Sequence, residues 1–193
     1  KGVSLDEISE QTGMAKGTIK KRLALANLCE EVKQALRDKI ISLSIAEALT
    51  LGSHDAQRKM FNEKNHFQFS AEFIRDNFID EKPSVSLAIF PIDQYQGTFT
   101  TDLFAEDDST YFDDENQFFD LQKEAVSKKE EEYLSKGAAF VDLTEGYSLP
   151  QCHYRDVVED EITGVAINLS PCGEVQILEN VVKHEMDEDI AEE

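Results

Sequence analysis

No apolar run in this sequence approaches the about 20 residues that a membrane-spanning helix needs, so no span is predicted. The opening, KGVSLDEISE, has no apolar core of a secretory leader. It begins without Met on a helix-forming pattern, and the chain is expected to continue upstream of Lys1. Cysteine is scarce. Cys29, Cys152 and Cys172 are odd in number and far apart, which excludes a disulfide framework and suggests a reducing cytosol. A close C-x2-C pair is missing, so Cys152, His153, Cys172 and His184 do not form a zinc-site pattern. The cluster Asp107, Asp108, Asp113, Asp114 and Glu115 lacks the central Gly and alternating ligands of an EF-hand loop. It reads as a solvated acidic loop. No G-x-S-x-G or similar local signature sets a nucleophile beside a base, and carboxylates are too abundant for any pair to stand out. The sequence therefore predicts no enzyme, no catalytic residue, no metal and no cofactor. It has no internal repeat.

Positive charge is also scarce, with 19 Lys and Arg against 40 Asp and Glu, a net of -21. The imbalance is local. Residues 1–64 hold 11 Lys and Arg against 9 Asp and Glu, which leaves 8 against 31 for residues 65–193. Within Lys16–Lys39 basic residues outnumber acidic ones 7 to 3. Asymmetry of this kind says more about partners than the overall pI does.

Helical patterns fill the first 80 residues. Ser4 and Glu7 make a capping-box pattern before a short helix over 4–12 that ends at Gly13. A second helix is predicted over 16–27, with Ile19, Leu23 and Ala26 on its inner side. A third spans 30–38, with Val32, Ala35 and Leu36 inward. Ser42 or Ser44 caps a fourth, which ends at Gly52, and Ser53 caps a fifth through Asn62. Residues 70–79 make a sixth, with Phe73, Ile74, Asn77 and Phe78 at helical spacing. EKPS at 81–84 punctuates the chain. SLAIFPI is expected to be a short strand interrupted by Pro91, DQYQGTFTTDLF to be irregular, and AEDDSTYFDDEN to be an acidic loop around Tyr111 and Phe112. A long charged helix is predicted over 116–136, ending at Gly137, with Phe118, Phe119, Leu121, Ala125 and Leu134 supplying its packing side. AAFVDL reads as a strand, 151–161 has no clear pattern, and GVAINLSPCGEVQILENVV reads as a hairpin turning at Ser170–Gly173. HEMDEDIAEE reads as an acidic, frayed tail.

The stretch TGMAKGTIKKRLALA carries the chemistry. A helix-turn-helix packs two helices across a sharp turn, and Gly13 supplies the left-handed residue such a turn favours. Ile8, Met14, Ile19 and Leu23 fall where they can join the helices, and Ser9 is small where they approach. The second helix then offers Lys16, Gly17, Thr18, Lys20, Lys21 and Arg22 to the major groove. The cations can neutralise phosphates, while Thr18 and Arg22 suit base edges. The plain alternative is a helical hairpin with a solvated basic face.

The pattern extends beyond those two helices. After TGMAKGTIKK come RLALANL, a further helix, and ISLSIAEAL, all between Gly2 and Gln57. In that order these pieces resemble the central DNA-binding domain of the ParB/RepB plasmid and chromosome partition family, which includes KorB-type repressors. LAIFPIDQYQGTFTTDLFAEDDSTYFDD and TGVAINLSPCGEVQILENVV are similar to runs in a plasmid-type subgroup of that family. The resemblance implies duplex DNA as ligand, a dimer, a ParA-like ATPase as partner, and Arg37 and Lys39, then Arg58 and Lys59, as outlying DNA contacts. The family's nucleotide-binding domain, with its Arg-rich phosphate motif, CTP and magnesium, has no counterpart in these residues.

The expected fold is an N-terminal all-helical bundle with a helix-turn-helix over 1–80, a smaller mixed α+β domain with a C-terminal β-hairpin over 84–183, and an acidic tail over 184–193. The expected function is sequence-specific DNA binding at a centromere-like or operator site in plasmid or chromosome partition, in the cytoplasm on nucleoid or plasmid DNA. The alternative is a transcriptional repressor or an interaction module whose acidic half docks a protein partner.

Overall fold

The computed structural model describes residues 3–62, 69–105, 109–155 and 162–183. The acidic tail with His184 lies outside these, as do Asp107, Asp108 and residues 156–161. The architecture is a helical N-terminal region followed by a sheet-containing α+β part. Two compact units result. One joins residues 1–84 to 98–113, and the other joins 85–97 to 114–193. Residues 98–113, placed with the second domain by the sequence reading, thus cluster with the helices.

The first unit begins with six helices: α1 (Leu5–Thr12), α2 (Lys16–Ala26), α3 (Glu30–Arg37), α4 (Leu43–Leu49), α5 (His54–Asn62) and α6 (Ala71–Ile79). The starts of α1, α4 and α6 are chemically marked. Ser4 and Glu7 form a reciprocal capping box, and Ser42 and Ser70 accept from Ile45 and Phe73 backbone N–H groups. Each such cap is worth about 1 kcal/mol. Leu28, Val32, Ala46, Leu49 and Ile74 form the buried core between α3, α4 and α6. Gly52 lets the Phe78 ring close on the end of α4, since a Cβ there would lie 2.6 Å from the ring. Gln57 is the polar tie of this core. It accepts from the Cys29 N–H at 2.7 Å and donates to the Gly52 carbonyl at 2.9 Å, serving the start of α3 and the chain beyond α4 together.

Two strands complete the unit, β1 (Phe99–Asp102) and β2 (Ser109–Phe112), paired antiparallel with Phe99 opposite Phe112. Both correct the sequence reading, which left TFTTD irregular and STYF in a loop. Thr, Tyr and Phe side chains suit a pleated ribbon, but the acidic stretch between the strands masks the pairing.

In the second unit the expected strand SLAIFPI is absent. Two 3-10 turns, Val85–Leu87 and Ile92–Gln94, stand in its place. The cause is visible in helix α7 (Glu115–Ser135). Its buried Gln122 donates to the Leu87 and Gly173 carbonyls and accepts from the Ile89 N–H. Gln117 accepts from the Gln96 and Gly97 N–H groups. The segment's backbone groups are spent on side-chain amides, and Pro91 has no N–H to give a ladder.

The sheet runs β3 (Val141–Glu145), β5 (Gly164–Leu169), β6 (Val175–Lys183), β4 (Tyr154–Arg155). β3 lies parallel to β5, and the other pairs are antiparallel. The unclear 151–161 region thus contributes a 3-10 turn, Gln151–His153, and the short edge strand β4. Every residue of β5 is buried, as in strands covered on both faces. Val165 and Ile167 meet Val126 and Tyr133 of α7, while Ala166 packs with Leu149 and Tyr154. The β5–β6 turn closes with the Gly173 N–H on the Ser170 carbonyl.

Candidate nucleic-acid interface

Between α1 and α2 several polar groups of the turn pair locally. Gly13 takes φ +69°, and its N–H donates to the Ser9 carbonyl at 2.8 Å. The Ser9 hydroxyl donates to the Met14 carbonyl at 2.8 Å. The Thr12 hydroxyl donates to the Ile8 carbonyl and accepts from the Met14 N–H. Ile19 is buried and Ile8 and Met14 are half-buried, so three of the four expected joining residues face inward. Leu23 does not. It is 51% exposed, and Ala26 is exposed with it. The inner side of α2 shifts along the helix, from Ile19 near its start to Leu25, and Leu25 joins Leu28, just past the helix end, in the core between α3, α4 and α6. On α6, likewise, Phe73 and Asn77 turn outward and Ile74 and Phe78 turn inward.

The start of α2 differs from the other helices. Ala15 at its N-cap offers no side-chain acceptor, and no acid lies in its first turn. α1, α4, α6 and α7 have capping side chains from Ser4, Ser42, Ser70 and Asp114. α3 has Glu30 and Glu31 in its first turn. Helix α2 therefore presents its orphan N–H groups and the positive end of its dipole with no built-in anion, the arrangement that suits a phosphate.

Lys16, Gly17, Thr18, Lys20 and Arg22 are exposed there, and Lys21 is half-buried. Lys16 pairs with Asp6 of α1, an exposed contact of little energetic weight. Arg22 directs one guanidinium N–H at the Met14 sulfur, 3.0 Å away. Lys21 sets its ammonium 5.7 Å from the centre of the Phe104 ring. No ion pair holds Lys20 among the described residues.

The outlying candidates differ among themselves. Arg37 bonds Glu30 at 2.9 Å and Gln34 at 3.4 Å. Arg58 bonds Glu31 and Asp55. The Glu31 carboxyl is held below its ordinary range by a backbone hydrogen bond, with Arg58 adding to it. Lys39 and Lys59 are exposed, and Lys39 takes φ +59°. No hydrogen bond or ion pair joins Arg37 or Lys39 to α2 among the described residues. Phe104 escaped the sequence reading, since no local pattern links it to Lys21.

Among the described residues no three His, Cys, Asp or Glu side chains gather as a metal site, and no helix is long and apolar enough to cross a membrane. Residues 1–73 match the family model of the ParB HTH domain. No curated protein and no solved structure matches the chain. Residues 1–73, with a tight Gly13 turn leading into an uncapped basic helix, are a ParB-type DNA-binding domain.

Proposed function

We propose that this chain is a sequence-specific duplex-DNA-binding protein of the ParB type, reading a centromere-like or operator site in plasmid or chromosome partition through α2. The observation that carries the reading is the start of α2, uncapped, free of acid in its first turn and lined by exposed Lys16, Thr18 and Lys20. In helix-turn-helix docking the N-terminal residues of the second helix meet base edges in the major groove. Arg22 can grip guanine with two hydrogen bonds, and Thr18 can reach a neighbouring edge. Lys16, Lys20 and Lys21 neutralise phosphates and release counterions. Lys39 and Lys59 extend that contact, while Arg37 and Arg58 would first exchange a carboxylate for a phosphate.

Gly17 gives separate support. A glycine inside a helix costs roughly 0.5–1 kcal/mol relative to alanine. A Cβ at Gly17 would meet no atom within 4 Å. Nothing in the fold asks for glycine there, whereas a DNA backbone close to that turn does.

The role is binding without catalysis, in the cytoplasm on plasmid or nucleoid DNA. A second copy would read the other half of a palindrome, and a ParA-like ATPase is the partner that the ParB resemblance brings with it. The acid in residues 65–193 opposes long-range attraction to DNA, while the basic face acts within a Debye length of roughly 8–10 Å. Weak non-specific binding, and hence a higher ratio of specific to non-specific affinity, is the expected result. The test is binding to duplex DNA from the chain's own replicon across a salt series, with Lys20→Ala and Arg22→Ala alongside. Site-selective binding with a negative salt slope, lost in Arg22→Ala, is expected. Absence of binding at low salt would overturn the reading.

A further inference from the structure

We propose that Phe104 is a positioning residue for DNA binding, holding Lys21 ready on the outer side of α2. The inference rests on the DNA-binding reading of α2. The β1–β2 hairpin lies outside residues 1–73, yet it belongs to the same compact unit. Two anchors fasten it there. Asp102, 2% exposed, accepts from Arg75 Nε of α6 at 2.9 Å through one carboxylate oxygen. Through the other it accepts the Phe104 backbone N–H, also at 2.9 Å. One buried carboxylate thus ties the hairpin to α6 and sets the turn that launches Phe104. At the far end Asp113 accepts from Lys82 and from the Thr98 and Thr100 hydroxyls.

From this fixed base the Phe104 ring meets the Lys21 ammonium at 5.7 Å, within the range of a cation–π contact. Lys21 follows the buried Ile19 by two residues, about 200° around a helix, so it leaves α2 away from the side on which Ile19 is buried. A lysine that binds a phosphate loses the freedom of a long, flexible side chain. The ring removes part of that freedom beforehand. Among the described residues it also leaves the ammonium donors unpaired with a carboxylate, whereas Lys16 must first part from Asp6. The hairpin therefore acts on DNA through Lys21 and brings no cation of its own.

The experiment titrates the full chain with duplex DNA from its own replicon at several salt concentrations. Lys21→Ala should weaken binding and make the salt slope shallower by about 1. Phe104→Leu should weaken binding about 2- to 5-fold, the size of an exposed cation–π contact, with an unchanged slope because the charge remains. Phe104→Tyr keeps a ring and should retain wild-type affinity. In a Lys21→Ala background, Phe104→Leu should add nothing. In the free protein, Lys21 side-chain protons should carry a ring-current shift that Phe104→Leu abolishes, read together with thermal melts that report folding. Unchanged or tighter binding by Phe104→Leu overturns the proposal and leaves the DNA reading intact, as does an equal loss in the Lys21→Ala background. A wild-type chain that binds no duplex at low salt overturns both.

Discussion

Helices α2 and α7 both carry several lysines, but they use them differently. On α7, Lys128 pairs with Glu124 and Lys129 with Glu132, and Lys136, which caps the helix end, also reaches Glu132. On α2 no acid occurs at all. Lys16 reaches to α1, Lys21 rests on a ring, and Arg22 faces a sulfur. The charge of α7 is neutralised where it stands, at the modest strength of exposed helical pairs. The charge of α2 meets no carboxylate of its own helix. The surroundings match: residues 85–97 and 114–193 together hold 22 Asp and Glu against 6 Lys and Arg. Lysine count alone does not describe a helix surface. What distinguishes α2 from α7 is a lysine run without acids in the same helix, beginning at an N-terminus with no capping side chain.

The largest effect should come from removing the two least committed cations. Lys20→Ala combined with Arg22→Ala should lower affinity for the site by about 100-fold or more, by the cost of a lost base contact and a lost phosphate contact. Lys128→Ala on α7 should leave it unchanged in the same titration. Equal losses from both would break the comparison.

Next in size is the role of α7 as the internal strut of its unit. Gln122→Leu strands the Ile89 N–H and the Leu87 and Gly173 carbonyls, so urea unfolding should show a loss of about 2–3 kcal/mol. A loss under 0.5 kcal/mol, by the same linear extrapolation, would deny the amide that role.

Gly17→Ala should separate stability from binding. The open space around Gly17 predicts a gain of about 0.5–1 kcal/mol in unfolding free energy. DNA affinity should fall in the same variant. A variant both more stable and equally tight would remove Gly17 from the interface.

The smallest effect concerns pH. Lys136, with Lys129, holds the Glu132 carboxyl below its ordinary value of 4.5. A depressed carboxylate adds stability above its unfolded pKa and loses it as pH falls through the folded one. Acidification below 4.5 should therefore loosen the last turns of α7, seen as fading helical NMR signals around Lys136.

Local chemistry explains how much of this was legible beforehand. Helices α1 and α4 announce themselves through Ser4, Gly13 and Ser42, whose roles depend on residues a few places away. The exposed, basic character of α2 was legible for the same reason. Leu23 was misplaced because α2 is held by different neighbours at its two ends, so a single apolar stripe does not describe it. The strands β1 and β2 were hidden because an acidic stretch separates them. The 85–97 segment looked like a strand by composition, yet Gln117 and Gln122 take its backbone groups from a helix well beyond it. Phe104 lay out of reach for a related reason. Its partners Arg75 and Lys21 come from other parts of the chain, and only folding unites them.

The interleaving of the chain bears on its birth as well as its final form. Residues 85–97 leave the helical unit and 98–113 return to it. During synthesis at about 5–20 residues per second, the helices emerge roughly 1–6 seconds before the hairpin that completes them. In that interval Arg75 has no Asp102 and Lys82 has no Asp113. The nascent helix bundle thus waits with two unanswered cations, and its last partners arrive only after a detour through the other unit.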